Sequence, residues 1–318
     1  MARDRRLRRA HDLHNIADAQ LAVEQQMKNA EPRRIRKGPK HQIDLRFSHG
    51  PVYSPTRLYL ASQIQQRPAL TTIEHSPENI HTVRLAKRVT AEALGTAFLV
   101  ATVVGSGIMA ERLAGGNVAI ALLANTVATG AALVALILTF GSISGAHFNP
   151  VVTLCDAIEK GMPWGETPFY IGAQLFGGVA GTVAAHFMFR LPAVSLSQHI
   201  RSGPSQLFSE FIATFGLLSV IWGCSRLRSN AVAFAVGAYI TAAYWFTAST
   251  SFANPAVTVA RCLSDTFAGI RPTDVLGFIL AQLVGGITAT LLFRWLVPGL
   301  KANARDVVLA HNAKRSDQ

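Results

Sequence analysis

The sequence predicts an all-α membrane protein with six membrane-crossing helices and two re-entrant half-helices, built as an inverted repeat. Three observations carry this. Six apolar windows each reach the roughly 20 residues that a hydrocarbon core requires. Two Asn-Pro pairs, Asn149-Pro150 and Asn254-Pro255, head shorter apolar runs. Three short segments recur in the same order in both halves of the body.

Of 318 residues, half are hydrophobic and 15% are charged, against about 25% in an average soluble protein. Residues 1–88 hold 17 Lys/Arg and 8 Asp/Glu, whereas the remaining 230 hold 13 and 10. The basic character therefore belongs to an N-terminal tail. A helix is expected over Asp12–Lys28, then a Pro/Arg/Lys patch over Pro32–Lys40, with most of 1–88 lacking fixed structure. The tail reads as a solvated cytoplasmic segment whose charge only fixes orientation; the alternative is attraction to anionic lipid head groups, about 1 kcal/mol per basic residue near the surface. It lacks the interleaved aromatics of a nucleic-acid arm, so no nucleic acid is expected. Residues 298–318 read as a second cytoplasmic tail. Cys155, Cys224 and Cys262 have no paired spacing, which argues against a disulfide framework or a zinc motif. No cleavable signal peptide is visible, because the first strongly apolar run starts near Val89.

The body, 89–297, gives windows at 89–110, 117–140, 167–189, 205–225, 230–248 and 274–297. No charged side chain occurs from Leu113 to Cys155 or from Ser229 to Ala260. Between the windows lie two shorter apolar stretches, 149–160 and 254–264. At 1.5 Å per residue each spans roughly 15–18 Å, about half the bilayer core. Asn is a strong N-cap and Pro is favoured at the first helical position, so each Asn-Pro marks a helix start. Short segments of this kind persist at membrane depth only where protein or a water-filled cavity surrounds them.

An even number of spans puts both termini on one side. That side collects the basic tail, Lys160, Arg226, Arg228, Lys301, Arg305, Lys314 and Arg315. The other side has Arg112, Arg190, Arg201, Arg261 and Arg271. The excess of positive charge places the termini in the cytoplasm of a cell (inner) membrane protein.

Glu92-Ala93-Leu94-Gly95-Thr96 is echoed by Glu210-Phe211-Ile212-Ala213-Thr214, Asn149-Pro150-Val151 by Asn254-Pro255-Ala256, and Ala173-Gln174-Leu175-Phe176-Gly177-Gly178 by Ala281-Gln282-Leu283-Val284-Gly285-Gly286. The repeats run over 89–190 and 205–297. With three spans per copy, the second must enter the membrane upside down, so the two half-helices approach from opposite sides. Their N-termini would then meet near the midplane, each carrying roughly half a positive charge. Asn149 and Asn254 would offer amide N–H donors there. Glu92 and Glu210, one per repeat inside an apolar window, need specific partners. They are expected to accept hydrogen bonds from the irregular backbone before each half-helix, and His147 is expected to be a buried hydrogen-bonding group. The paired glycines let helices approach closely.

Residues 89–297 resemble the aquaporin/major intrinsic protein family. The resemblance rests on Ser-Gly-Ala-His-Phe-Asn-Pro at 144–150, Asn-Pro-Ala at 254–256, the two Glu positions and the two Ala-Gln-Leu-x-Gly-Gly segments. It implies an aquaporin-like right-handed bundle, one pore per protomer and a homotetramer. It also implies a central constriction at Asn149, Pro150, Val151, Asn254, Pro255 and Ala256, and a selectivity filter at Thr129, Ala242, Ser251 and Val257. There are two departures: Val151 stands where the family has Ala, and Val257 where it has Arg. Such a filter is expected to be wider, neutral and more apolar than that of a strict water channel. Arg261, one helical turn beyond Val257, is a candidate substitute. The run from Asn254 to Gly269 resembles bacterial aquaporins associated with arsenic-resistance gene sets.

These readings converge on a passive, non-enzymatic pore without cofactor or metal. It would carry small uncharged solutes: water, glycerol-like polyols, arsenite and methylated arsenicals. A strict water channel is one alternative. A secondary active transporter is another, with Glu92 and Glu210 as its intramembrane carboxylates. A third is a tail-centred regulatory protein with a membrane anchor.

Overall fold

The computed structural model describes residues 83–227 and 229–297. The expected helix over Asp12–Lys28, the basic patch and the C-terminal tail lie outside the described residues. Among the described residues eight α-helices follow in order: α1 Leu85–Leu113, α2 Val118–Ser144, α3 Pro150–Ile158, α4 Thr167–Met188, α5 Pro204–Leu227, α6 Val232–Phe246, α7 Pro255–Cys262 and α8 Pro272–Leu296. No strand occurs among the described residues. We call the end where α1 begins and α8 ends the terminal face, and the opposite end the loop face.

Five helices (α1, α2, α4, α5 and α8) are long and apolar enough to span a membrane. The window at 230–248 instead gives α6, with 15 helical residues preceded by a 3₁₀ turn at Ser229–Ala231. At 1.5 Å per residue it reaches about 23 Å, so its turn and C-terminal connection complete the crossing.

The first span starts at Leu85, which shifts the expected tail boundary. Arg88 is buried at 4% exposure. Its Nη1 and Nη2 each donate to a Glu166 oxygen at 2.7 Å, and its Nε donates to the Val83 carbonyl. A paired, forked guanidinium can be carried inside a helix end where an unpaired one could not.

The two repeats pack alike. α1 lies on α4, and α5 lies on α8. A Cβ at Gly177 would overlap the Ala93 carbonyl of α1, and one at Gly285 would overlap the Phe211 carbonyl of α5. The neighbouring glycines serve the half-helices: Gly178 faces Ala256 and Ala260 of α7, while Gly286 faces Val151 and Cys155 of α3. Where α2 crosses α6, Gly130 meets Gly237 backbone to backbone. Small residues at each crossing are what bring these helices close.

Both half-helices are shorter than expected. α3 has nine residues and stops where Lys160 adopts φ 67°, a left-handed conformation that cannot continue the helix. α7 has eight. Beyond it, the segment before α5 takes over its terminal carbonyls: Ser197 N–H donates to Cys262 O at 2.9 Å and Ser195 N–H to Leu263 O at 3.0 Å.

Candidate functional site

Asn149 and Asn254 cap α3 and α7 from an extended backbone, φ −152° and −158°, with Pro at the first helical position. Asn149 Oδ1 accepts from Val151 N–H at 2.9 Å. Asn254 Oδ1 accepts from Ala256 N–H at 3.0 Å and Val257 N–H at 3.3 Å. The amide nitrogens then cross over. Asn149 Nδ2 donates to Ala253 O, and Asn254 Nδ2 to Phe148 O, both at 2.7 Å. Each tip is thus tied to the loop that feeds the other. Every Nδ2 carries two hydrogens, so each amide keeps one N–H for the cavity that both residues line.

The loops before the half-helices are held from behind by carboxylates. Glu92 accepts from Ser144 Oγ, His147 N–H, Phe148 N–H and Gln174 Nε2 at 2.7–3.0 Å. Glu210 accepts from Phe252 N–H and Ala253 N–H at 2.9 Å and from Gln282 Nε2 at 2.6 Å. Both are fully buried, and neither lines the cavity. A trans peptide points its C=O opposite its N–H. The carbonyls of Ala146, His147, Ser251 and Phe252 therefore point away from the carboxylates, toward the lumen that these residues line. The backbone reaches this arrangement through left-handed residues at matching places, Ala146 and Phe148 in one loop and Ser251 and Ala253 in the other, all with φ 48–52°. Strain of this kind, of order 1–3 kcal/mol per residue, is held where surrounding bonds over-determine the loop. The sequence expectation named the two acids but not this row of backbone acceptors.

Thr129, Ser251 and Val257 line the cavity together with Asn149 and Asn254. Val151, Pro150, Pro255 and Ala256 are buried behind the tips. Ala242 does not join them: it is exposed on the outward face of α6. The lumen side of that helix is the stripe Val232, Val236, Ile240 and Tyr244, one residue per turn. The four-residue period along 232–244 was the signal available. Tyr244 OH lies 3.3 Å from Thr129 Oγ1, which puts an aromatic hydroxyl on a wall expected to be more apolar.

Arg261 lines the same cavity, continuing the face of Asn254 and Val257 along α7. On the terminal side, His147 Nδ1 is 3.2 Å from Thr153 Oγ1, and its Nε2 is 3.7 Å from Asp156 Oδ2. The remaining walls are apolar, with Leu99, Val103, Leu133, Leu217 and Ile221 among them. A row of acceptors and donors facing an apolar wall is a lumen that a neutral, hydrogen-bonding molecule can follow without carrying its full hydration.

A model of the major intrinsic proteins matches residues 79–231 and 224–317. The chain belongs to the major intrinsic protein family. It is 53% identical over 213 residues to the aquaglyceroporin AqpS of Rhizobium meliloti (strain 1021), covering 67% of this chain and 91% of that one. It is 30% identical to the probable aquaporin NIP7-1 of Arabidopsis thaliana, covering 65% and 75% respectively. Its fold is shared with an aquaglyceroporin structure from Plasmodium falciparum, at a TM-score of 0.54 and 22% identity, covering 69% of this chain and all of that one. A member of this family is a multi-pass membrane channel and not an enzyme.

Proposed function

We propose that this chain is a passive, bidirectional pore for small uncharged solutes. Water and glycerol-like polyols are its solutes, together with undissociated arsenite and methylated arsenicals, which present the same compact hydroxylated shape. The observation that carries the reading is the meeting of the α3 and α7 tips, each amide bonded to the other loop and each with an N–H left for the lumen. Two helix N-termini aimed at one point oppose cations. Water oriented by the Asn donors cannot pass a proton along an unbroken chain there. The aquaglyceroporin description of the 53% identical relative supports polyol passage.

The carboxylates that a coupled transporter would use, Glu92 and Glu210, do not line this cavity but hold the loop backbone from behind. We further propose a homotetramer in the inner membrane with cytoplasmic termini. Outward side chains such as Phe98, Phe176, Phe208 and Leu280 would face lipid or sister protomers.

The test is light scattering from proteoliposomes given water, glycerol, urea and arsenite gradients. Swelling above that of empty vesicles, unchanged when proton and sodium gradients are collapsed, is expected. Flux that follows an ion gradient would overturn the reading.

A further inference from the structure

Val257 removes the guanidinium from the position where the family resemblance places one. We propose that Arg261 supplies it instead, one helical turn nearer the loop face. There it would act as the residue that selects among neutral solutes and repels cations. This rests on the pore reading above.

Position comes first. Asn254, Val257 and Arg261 fall at i, i+3 and i+7 on α7, a single helical face. At 1.5 Å per residue, Arg261 stands about 6 Å beyond Val257 along the half-helix. It lines the central lumen and also the polar vestibule at the loop face, which Asn125, His199, Arg201 and Gln206 help to form. The junction between the two spaces therefore runs past its side chain.

The side chain is held, and its donors are free. Arg261 is 2% exposed. Its Nε donates to the Ala268 carbonyl, and its guanidinium carbon lies 3.4 Å from the centre of the Phe252 ring. Phe252 is itself braced edge-on by Phe278, at 5.2 Å between centroids. Neither Nη1 nor Nη2 has a protein acceptor among the described residues, and no carboxylate pairs with the group. Ser251 Oγ, buried on the wall of the same lumen, is also without a partner. A fork of donors and an orphan hydroxyl, on a lumen whose other walls include Val103 and Val257, make an amphipathic slot. A small polyol, with hydroxyls on one side and carbon on the other, fits that chemistry. A cation would meet an unpaired positive charge in a low-dielectric passage.

A second guanidinium supports the placement. Arg201, from the segment before α5, lies 5.0 Å from the Phe252 ring centre, with its Nε on Gly269 O and its Nη1 on Ser249 O. It lines the vestibule but is bound more completely to protein, which leaves Arg261 as the donor where the two spaces adjoin.

The experiment compares wild type with Arg261→Met, Arg261→Lys and the transposed pair Val257→Arg with Arg261→Val in proteoliposomes. Glycerol, urea, water and methylammonium fluxes are measured at matched amounts of folded protein. Arg261→Met is expected to raise methylammonium leak and to shift the glycerol-to-urea ratio by about tenfold, the size of one charge-assisted hydrogen bond, while water changes little. The transposed pair is expected to restore cation exclusion. If Arg261→Met does not fold, Arg261→Lys serves: it keeps the charge, so exclusion should persist while the solute ratio shifts. Wild-type conduction with an unchanged ratio and unchanged leak in the folded variants overturns this assignment alone. Wild-type vesicles no faster than empty ones for any neutral solute overturn the pore reading instead.

Discussion

Glu210→Gln, set beside Glu210→Leu, tests whether the carboxylate holds the loop or serves the solute. The native carboxylate takes three donors: Phe252 N–H on Oε1, and Ala253 N–H with Gln282 Nε2 on Oε2. Glutamine is isosteric, and its single oxygen can still serve Ala253 and Gln282. Its NH₂ then confronts Phe252 N–H, leaving one buried donor unpaired at a cost of about 1–3 kcal/mol. In a body of this size that corresponds to a melting point lower by about 2–12 °C. Leucine removes all three acceptor contacts, about 3–9 kcal/mol by the same arithmetic, a large part of the 5–15 kcal/mol that stabilises a typical domain. The expected outcome is a folded but less stable Glu210→Gln channel with reduced flux, and little folded Glu210→Leu protein. Thermal melting in detergent and stopped-flow light scattering of proteoliposomes measure both. Melting curves for both variants superimposable on wild type would refute the loop-holding argument. A Glu210→Gln protein that melts normally yet has lost all flux would point to a carboxylate acting on the solute.

Further outcomes follow from other contacts. Val257→Arg puts a second guanidinium one turn from Arg261, so proteoliposomes should lose flux of glycerol and larger solutes while water is spared; equal uptake at matched protein levels would count against Val257 as a filter residue. Arg294→Ala leaves the fully buried Glu159 without its ion partner, a loss of about 3–5 kcal/mol. Adding Glu159→Gln should recover part of the melting point, and no recovery would show that the pair does not tie α3 to α8. Gly177→Ala drives a methyl into the Ala93 carbonyl and should destabilise the α1–α4 contact by about 1–3 kcal/mol or more. Gly172→Ala, in the same helix with nothing within 4 Å of its added carbon, should be neutral or stabilising. Equal melting points for these two variants would remove the argument from close approach.

Much of the bundle was legible because its signals are local. A long apolar run states a span, and Asn-Pro states a helix start, since cap geometry involves only neighbouring residues. The echoes around Glu92 and Glu210 are legible because an inverted duplication repeats the same local needs twice. Contacts between distant segments were less so. The first span opens at Leu85 because Arg88 finds Glu166, 78 residues on. α7 ends early because residues 195–197 bond its last carbonyls.

What the sequence alone determined is an inverted pair of three-span units with a capped half-helix in each, since apolar length, capping and duplication are properties of the chain itself. Only the tertiary structure decided which side chains meet the lumen. It turned Ala242 outward and Tyr244 inward, and it set Arg261 against Phe252 with its terminal nitrogens free. The physical reason is that a helical face is fixed by rotation about the axis, at about 100° per residue. Two positions along α6 therefore separate Ala242 on the outer face from Tyr244 on the wall of the lumen. Motif spacing counts residues, whereas the pore is built from the directions in which they point.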